Sequence, residues 1–356
     1  MRLGLSVPKM NAEGGADGGD GPICSSREGA ERFLARTAGK ALLLADGASF
    51  SALLPAAHLA RTVSCLFDGD AAALFALPEV GCVLAAGGAD TMRAARLFAT
   101  LRRIPCALFP ASSALDGVYE RRFPGGGELG GIALTRGDVC CDLACISDFA
   151  EGYSRLVLAR LALFEAKAKG LMCRTPFGGR GYEEAFALTE GAADLSPRDI
   201  VLRNARLREL EADGAPVGEG AVLMQSFHAA PLPALRAERA LSALYYAFFL
   251  RGVPRRYRVA DYRARAARAK VPYAALCIPA EAEYAARALA LERVRGELLT
   301  ELVHLRSFHA AQLRTVRALG AEGTPVPDLS ALRTLPERAA DGLCAVIRDF
   351  GLMEEV

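Results

Sequence analysis

Short apolar runs separated by amphipathic segments fill the first 145 or so residues of the chain. Ala41 to Ala45 is an unbroken run of Leu and Ala, closed by Asp46-Gly47. Thr62 to Phe67 is a second run, and Val83 to Ala86 is a third that stops at Gly87-Gly88. Ile104 to Phe109 is a fourth, ending at Pro110. Runs of this length bounded by turn residues read as buried strands. Glu28 to Ala38, Ser51 to Ala60 and Ala71 to Ala76 read as the helices between them. After Gly87-Gly88, Met92, Ala95, Leu97, Phe98 and Leu101 recur at roughly helical spacing, with Arg93, Arg96 and Arg102 between them. Strands alternating with helices every ~20 residues predict an α/β domain, a doubly wound parallel sheet of Rossmann-like type.

From about Cys145 the pattern changes to long amphipathic segments. They run from Ile146 to Lys169, Tyr182 to Glu190, Pro197 to Asp213, Leu235 to Leu250, Ala280 to Leu319 and Pro336 to Phe350, where Gly351 ends the last helix. Leu244, Tyr245, Phe248 and Phe249 lie at helical spacing and read as core. The expected organisation is a flexible segment over 1–27, a nucleotide-binding domain over 28–144 and an all-helical domain over 145–356. NAEGGADGGDG, near the start, is too small and polar to pack.

Composition narrows the classes. A chain of 356 residues, 52% hydrophobic, can bury a large core and divide into two domains. A net charge of +2 gives no global argument for nucleic acid or an anionic membrane. No apolar run of about 18 residues is present, and the N-terminus lacks an apolar signal core, so a cytoplasmic location is expected. Ten cysteines are scattered through apolar segments, which predicts reduced, buried thiols. Cys140, Cys141 and Cys145 form a CCxxxC cluster with no second thiol pair at zinc spacing, and they read as buried thiols near a strand end. Arg255 to Lys270, with Tyr257 and Tyr262, is basic and aromatic; it reads as a solvated or interface face in preference to a nucleic-acid grip.

A strand feeding a glycine turn and a helix presents bare backbone N–H groups, a ready phosphate site. The same pattern also makes an ordinary tight turn, and both readings stand for Gly87-Gly88. Asp46 likewise reads either as a residue near a cofactor or as a cap on the following helix. Asp148 reads as a metal ligand or as a carboxylate at a helix N-terminus.

GCVLAAGGADTMRAARLFATLRRIPCALFPASSALDG, from Gly81 to Gly117, resembles the nucleotide-binding half of the sn-glycerol-1-phosphate dehydrogenases. Their superfamily includes glycerol dehydrogenase, iron-containing alcohol dehydrogenase and dehydroquinate synthase. The match rests on Gly87-Gly88, Arg96, Ile104-Pro105 and the loop from Pro110 to Asp116-Gly117. ADGASF at Ala45 to Phe50 resembles the family's acidic turn near the cofactor, and Ser147-Asp148-Phe149 with Tyr153 resembles its metal-binding helix. Faint likeness extends to LPERAADGLCAVIRDFGL at the C-terminus. The resemblance implies a Rossmann-like domain followed by a helical one, NAD(P), and a divalent zinc or iron that polarises a hydroxyl during hydride transfer. Carried over residue by residue, it gives cofactor contacts at Asp46, Gly87, Gly88 and Ser112. It also gives catalytic roles at Asp116 and Asp148, with Asp148 as a metal ligand.

The chain departs from that pattern where the metal should be held. The two histidine ligands fall at Arg239 and Ala267. A guanidinium has no lone pair to donate, although a cation at 239 could partly balance Asp148. His58, His228, His304 and His309 are the only histidines. His58 lies in the first domain, and His304 and His309 are spaced poorly for one helix face. His228, the one nearest Glu238 in sequence, is the remaining route to a rebuilt site. In the cofactor half, the third turn glycine is Ala89, a helix Asp is Arg93, a loop Thr is Ala111, and Asp90 stands where it would repel phosphate. The family's lysine position is Gly152. Asp116 and Asp148 are 32 positions apart, short for a full family member. The expectation is a divergent protein that lost metal-dependent oxidoreductase activity and binds a nucleotide or a small phosphorylated or polyol ligand. The alternative is an active NAD(P)-dependent polyol or glycerol-phosphate dehydrogenase with rewired ligands. A homo-oligomer is compatible with either.

Overall fold

The computed structural model describes residues 22–49, 51, 62–71, 73–124, 129–173, 181–190, 195–215, 231–252 and 281–321. The expected helix at Ser51 to Ala60, apart from Ser51 itself, the expected helix at Pro336 to Phe350, the basic stretch Arg255 to Lys270, and His58, His228 and Ala267 lie outside those residues. The chain forms two compact units. The first is Met1–Gly152 with Leu195–Ala212, and the second is Tyr153–Asp194 with Asp213–Val356.

The first unit is built on a parallel sheet. Its strands are β1 (Ala41–Ala45), β2 (Thr62–Leu66), β3 (Cys82–Gly87), β4 (Cys106–Pro110) and the short β5 (Asp138–Val139). Their order is β2-β1-β3-β4-β5, every pairing parallel. The four apolar runs of the sequence are the first four strands. β1, β3 and β4 are buried along their whole length, as strands covered on both faces must be. β5 carries no hydrophobic run and was not legible in the sequence; its two residues pair with Ala107 and Leu108.

Helix α1 (Ser26–Arg36) starts at Ser25, whose side chain accepts the Glu28 N–H, and buries Ala30 and Phe33. Helix α2 (Ala89–Arg102) follows β3 and ends where Arg103 enters the left-handed region at φ 57°. Its inner face carries Met92, Ala95 and Phe98 into one core with Leu42, Leu44, Val83 and Leu108. Each of the Met, Phe, Leu and Val side chains contributes about 2 kcal/mol on burial. The expected helix at Ala71 to Ala76 is only a 3-10 turn, Ala73–Ala76. Pro78 lacks the N–H a further turn would need.

Helix α3 (Phe149–Cys173) begins in the first unit and continues in the second, and α5 (Pro197–Ala212) belongs to the first. The second unit contains α4 (Tyr182–Thr189), α6 (Pro231–Arg251), α7 (Glu281–Ser307) and α8 (His309–Ala318). The single amphipathic segment expected from Ala280 to Leu319 is thus two helices, interrupted at Phe308. Tyr245, Phe248 and Phe249 are fully buried. Tyr245 stacks with Phe164 at 6.1 Å between ring centroids and donates a hydrogen bond to Glu165. Lys167 bridges Glu297 and Glu301 at 2.8 and 2.9 Å, tying α3 to α7.

The cysteines differ from expectation. Cys24 and Cys140 are joined in a disulfide across a sequence separation of 116, and Cys145 is exposed, whereas Cys82, Cys106 and Cys141 are buried thiols. Tertiary pairing causes the change. Ile23 forms a parallel bridge to Cys141, and the Cys141 N–H donates to the Pro22 carbonyl. That sets the Cys24 and Cys140 Cα atoms 5.6 Å apart, within disulfide range. Burial pushes the Cys141 thiol up to about 12 and the Cys106 thiol up to about 11, despite the Arg96 charge near the latter, so both are inert at neutral pH.

Candidate functional site at the carboxyl edge of the sheet

In the first unit, the sheet order reverses between β1 and β3. The carboxyl ends of strands at such a switch point frame the usual ligand crevice of an open α/β sheet. Asp46 follows β1, Gly87 ends β3 and Gly88 follows it, and the loop with Ser112 and Asp116 follows β4. The sheet therefore gathers those sequence-predicted residues at one edge.

Asp46 is bound to both its own turn and the next one. Its Oδ2 accepts the Gly88 N–H at 2.8 Å, and its Oδ1 accepts the Ser49 N–H at 2.8 Å. Gly88 is the N-cap of α2 and has no side-chain cap of its own, so the Asp46 carboxylate occupies the electropositive end of that helix. Asp46 thus caps the helix that follows β3, whereas the helix it was expected to cap lies almost wholly outside the described residues. Gly87 is shaped by the same contact. A Cβ there would stand 2.3 Å from Asp46 Oδ2 and 2.8 Å from Thr91 Oγ1. Asp90, expected to repel phosphate, is engaged by Arg93 at 3.0 Å.

Arg93 also grips Glu120 through both carboxylate oxygens, with distances of 2.9 Å from Nε to Oε2 and 2.6 Å from Nη2 to Oε1. The Glu120 hydrogen bond raises the Arg93 pKa, burial opposes it, and the neighbouring negative charges of Glu120 and Asp90 add to the rise. Arg96 is 1% exposed. It donates to the Gly117 carbonyl at 3.0 Å and the Thr135 carbonyl at 3.1 Å. Burial lowers its pKa, with Cys106 and Glu120 acting the other way. Arg96 thus holds Gly117, the end of the Asp116-Gly117 loop, directly, and Arg93 holds Glu120, whose Oε1 accepts the Gly117 N–H at 3.2 Å.

Asp116 faces Arg208 of α5, Oδ1 to Nη2 at 2.5 Å. Arg208 also bonds Glu211 at 2.6 Å and the Ala114 carbonyl at 3.2 Å. Burial works against the guanidinium charge, but Asp116 and Glu211 outweigh it and its pKa rises. Asp148 is placed immediately before α3. Its Oδ1 accepts the Ser113 N–H at 3.1 Å, and its carbonyl accepts the Ser113 hydroxyl at 2.9 Å. Ser112 donates weakly to Glu151 at 3.4 Å.

Asn204 completes this knot, donating to the Ser113 carbonyl at 3.0 Å and the Gly152 carbonyl at 2.9 Å. Gly152 is explained by it. A Cβ there would meet Ser113 Oγ at 2.2 Å and Asn204 Nδ2 at 2.9 Å, so a lysine has no room. Ser113, Asn204 and Arg208 were missed by sequence reasoning. A signal existed for Asn204, since it lies four positions after Ile200 on the buried face of its helix.

Glu238 and Arg239 sit on α6 in the second unit, with Arg239 exposed and Glu238 buried. Burial raises the Glu238 carboxyl, with His309 and Arg239 opposing. His309 Nδ1 approaches Glu238 Oε2 at 3.8 Å, an ion-pair distance that is too long for a hydrogen bond. No group of three His, Cys, Asp or Glu residues able to hold a metal occurs among the described residues. Of the expected ligand positions within the described residues, Asp148 carries a carboxylate and Arg239 a guanidinium, which has no lone pair to give a metal. The residues at the sheet edge fit a dinucleotide only in part. Gly87 and Gly88 leave the backbone bare, but the Gly88 N–H is held by Asp46, which a pyrophosphate would have to displace.

No family model and no curated protein matches the sequence. No described helix is long and apolar enough to cross a membrane. Solved structures similar to the chain include glycerol dehydrogenase from Schizosaccharomyces pombe, at 12% identity and a TM-score of 0.44, covering 86% of this chain and 92% of that one. An iron-containing alcohol dehydrogenase from Corynebacterium glutamicum gives 14% identity and a TM-score of 0.42, covering 91% and 96%. A 2-epi-5-epi-valiolone synthase from Streptomyces hygroscopicus, solved with NAD+ and Zn2+, gives 16% and 0.38, covering 89% and 91%.

Proposed function

We propose that this protein is a ligand-binding relative of the glycerol-1-phosphate dehydrogenase-like proteins that does not carry out metal-dependent hydride transfer. It binds a nucleotide or a small phosphorylated polyol at the β1/β3 crevice. The observation that carries the reading is the engagement of Asp46, Asp116 and Asp148 by donors of their own chain. These are Gly88 and Ser49 N–H, Arg208, and Ser113 N–H respectively. Asp148 is the only one of the three expected metal ligands that this sequence retains, since 239 is Arg and 267 is Ala. One carboxylate alone does not fix a metal's coordination. Without a Lewis acid, several kcal/mol of barrier lowering are missing.

The same edge keeps the means to hold a ligand. Asp46 has lone pairs beyond the two it uses, and a ribose or polyol hydroxyl is a suitable donor to them. Gly87 and Gly88 allow a ligand to approach the backbone closely.

The test is metal analysis of the purified protein beside fluorescence titration with NADH and competition by glycerol phosphate. Activity is assayed with dihydroxyacetone phosphate. Saturable NADH or glycerol phosphate binding, with no stoichiometric metal and no NADH oxidation, is the expected outcome. Stoichiometric zinc or iron with NADH oxidation overturns the reading in favour of an active dehydrogenase. Absence of all binding overturns the ligand-holding part.

A further inference from the structure

The strands of the first unit all run the same way, so the residues that lead into them gather at one rim of the sheet. This amino rim lies a strand length, about 16 Å, from the carboxyl-edge crevice. Lys40 leads into β1, Arg102 and Arg103 come shortly before β4, and Arg136 comes just before β5. Thr100 Oγ1 accepts the Thr135 N–H at 3.0 Å, which sets Arg136 beside the last turn of α2. The Lys40 carbonyl accepts the Gly81 N–H at 2.7 Å, holding the start of β1 against the start of β3. All four cationic residues are exposed.

None of the four makes an ion pair among the described residues; Arg102 donates only to the Phe75 carbonyl, at 3.2 Å. Asp138 of β5 is taken by Arg36, at 2.6 Å. Glu79 is the other acid on the described segments that lead into strands. Cations in the last turn of a helix are stabilised by its dipole, and Arg102 and Arg103 stand at such an end. That end supplies only about half a negative charge, and Lys40 and Arg136 belong to no helix. Most of the positive charge on the rim is therefore unmatched.

The spacing narrows what could match it. Neighbouring strands are about 4.8 Å apart, so the rim from β1 past β3 and β4 to β5 is roughly 14 Å wide. An extended chain with acids at alternate positions carries carboxylates about 6.6 Å apart, and a row of three spans about 13 Å. Guanidinium groups take carboxylates in a bidentate fork. Nucleic acid and lipid fit less well. The exposed residues of the rim offer no aromatic ring for a base to stack on. Leu101, 45% exposed, is a single apolar anchor where binding to a lipid surface needs an apolar face.

We infer that the amino rim of the sheet is a docking surface for an extended acidic segment of a partner protein, held by Lys40, Arg102, Arg103 and Arg136. Docking there leaves the crevice open, since the crevice lies at the opposite rim.

The test is fluorescence anisotropy of the full chain with a labelled peptide of alternating Glu and Ser, roughly eight residues long. At about 0.05 M salt, where screening is weak, saturable binding is expected, and it should weaken as salt is raised. Arg103→Glu with Arg136→Glu should weaken it about tenfold or more, and so should Lys40→Glu with Arg102→Glu. Arg314→Glu, on exposed α8 of the second unit, should leave it unchanged. No binding by the wild type, or equal binding by both double variants, overturns the proposal. Equal weakening by Arg314→Glu also overturns it, because the attraction would then be general. Tighter binding to an oligouridylate of the same charge, or to phosphatidylserine vesicles, overturns the choice of an acidic peptide.

Discussion

The Asp46 carboxylate reaches from the end of β1 to the Gly88 N–H at the start of α2, 2.8 Å away and 42 positions on in sequence. This one contact caps a helix that has no cap of its own and sets the electrostatics of the crevice. Asp46→Ala should cost about 1–3 kcal/mol, because a charge-assisted bond to the α2 terminus is lost. It should also strengthen binding of inorganic phosphate at low salt, since the vacated N–H group becomes available. Chemical denaturation and phosphate titration read the two effects; unaltered stability would contradict the capping role.

Gly152→Lys, which writes the family residue back into the chain, should destabilise rather than restore. The new Cβ would overlap Ser113 Oγ at 2.2 Å, and overpacking of this kind costs roughly 1–3 kcal/mol. The Asn204 bonds to Gly152 and Ser113 would also be strained. A thermal melt at or above the wild-type midpoint would refute the geometry.

Arg208→Met removes the partner of Asp116. Breaking a buried pair costs about 3–5 kcal/mol. With the two side chains 17% and 20% exposed, solvent screening brings the expected loss to the bottom of that range or just below it, about 2–3 kcal/mol. Arg208→Lys should recover only part of it, because a single ammonium cannot serve Asp116, Glu211 and the Ala114 carbonyl in one planar fork. Equal stability of the Lys variant and the wild type would show that the fork does not matter.

Glu238 gives a pH dependence of definite sign. Burial raises its folded-state pKa, so the folded protein holds a proton that the unfolded chain has released. Stability should therefore fall as pH rises from the unfolded carboxyl value of about 4.3 toward the raised folded value. Glu238→Gln should abolish that slope. Melts of both proteins between about pH 4 and 8 decide it; parallel curves would mean that His309 or another neighbour compensates the charge in full.

Reduction of Cys24–Cys140 should lower stability by about 2–5 kcal/mol, since the bond closes a long loop in the unfolded chain. Comparing denaturation midpoints of oxidised and reduced wild type measures this. Identical midpoints would mean that the Pro22–Ser26 contacts alone hold the segment.

Much of the architecture was written in the sequence. The runs at Ala41–Ala45, Thr62–Phe67, Val83–Ala86 and Ile104–Phe109 became the four main strands; β1, β3 and β4 are buried throughout, and strands covered on both faces carry apolar side chains. The helical spacing of Met92, Ala95 and Phe98 likewise placed α2 against the sheet. So did the spacing that buries Tyr245, Phe248 and Phe249 on α6. Gly87, Gly88 and Asp46 were found as a turn and an acid, since β1 and β3 each stop at a polar or glycine residue.

Only the tertiary structure decided what those residues touch. Asp46 meets Gly88 because β1 and β3 pair in register, Ala45 beside Ala86, and no local pattern encodes that neighbour. Arg208 finds Asp116 and Asn204 finds Gly152 because α5 packs with the sheet unit although it lies after α3 and α4 in sequence. The Cys24–Cys140 bond depends on residues 116 positions apart, joined by a backbone bridge too short to leave a hydrophobic signature. Periodicity reports which side of an element is buried, whereas the partner of a buried or capping group is fixed by contacts between distant segments. The sequence therefore determined the sheet and its glycine turn, and the three-dimensional fold determined that its carboxylates are held by the chain itself.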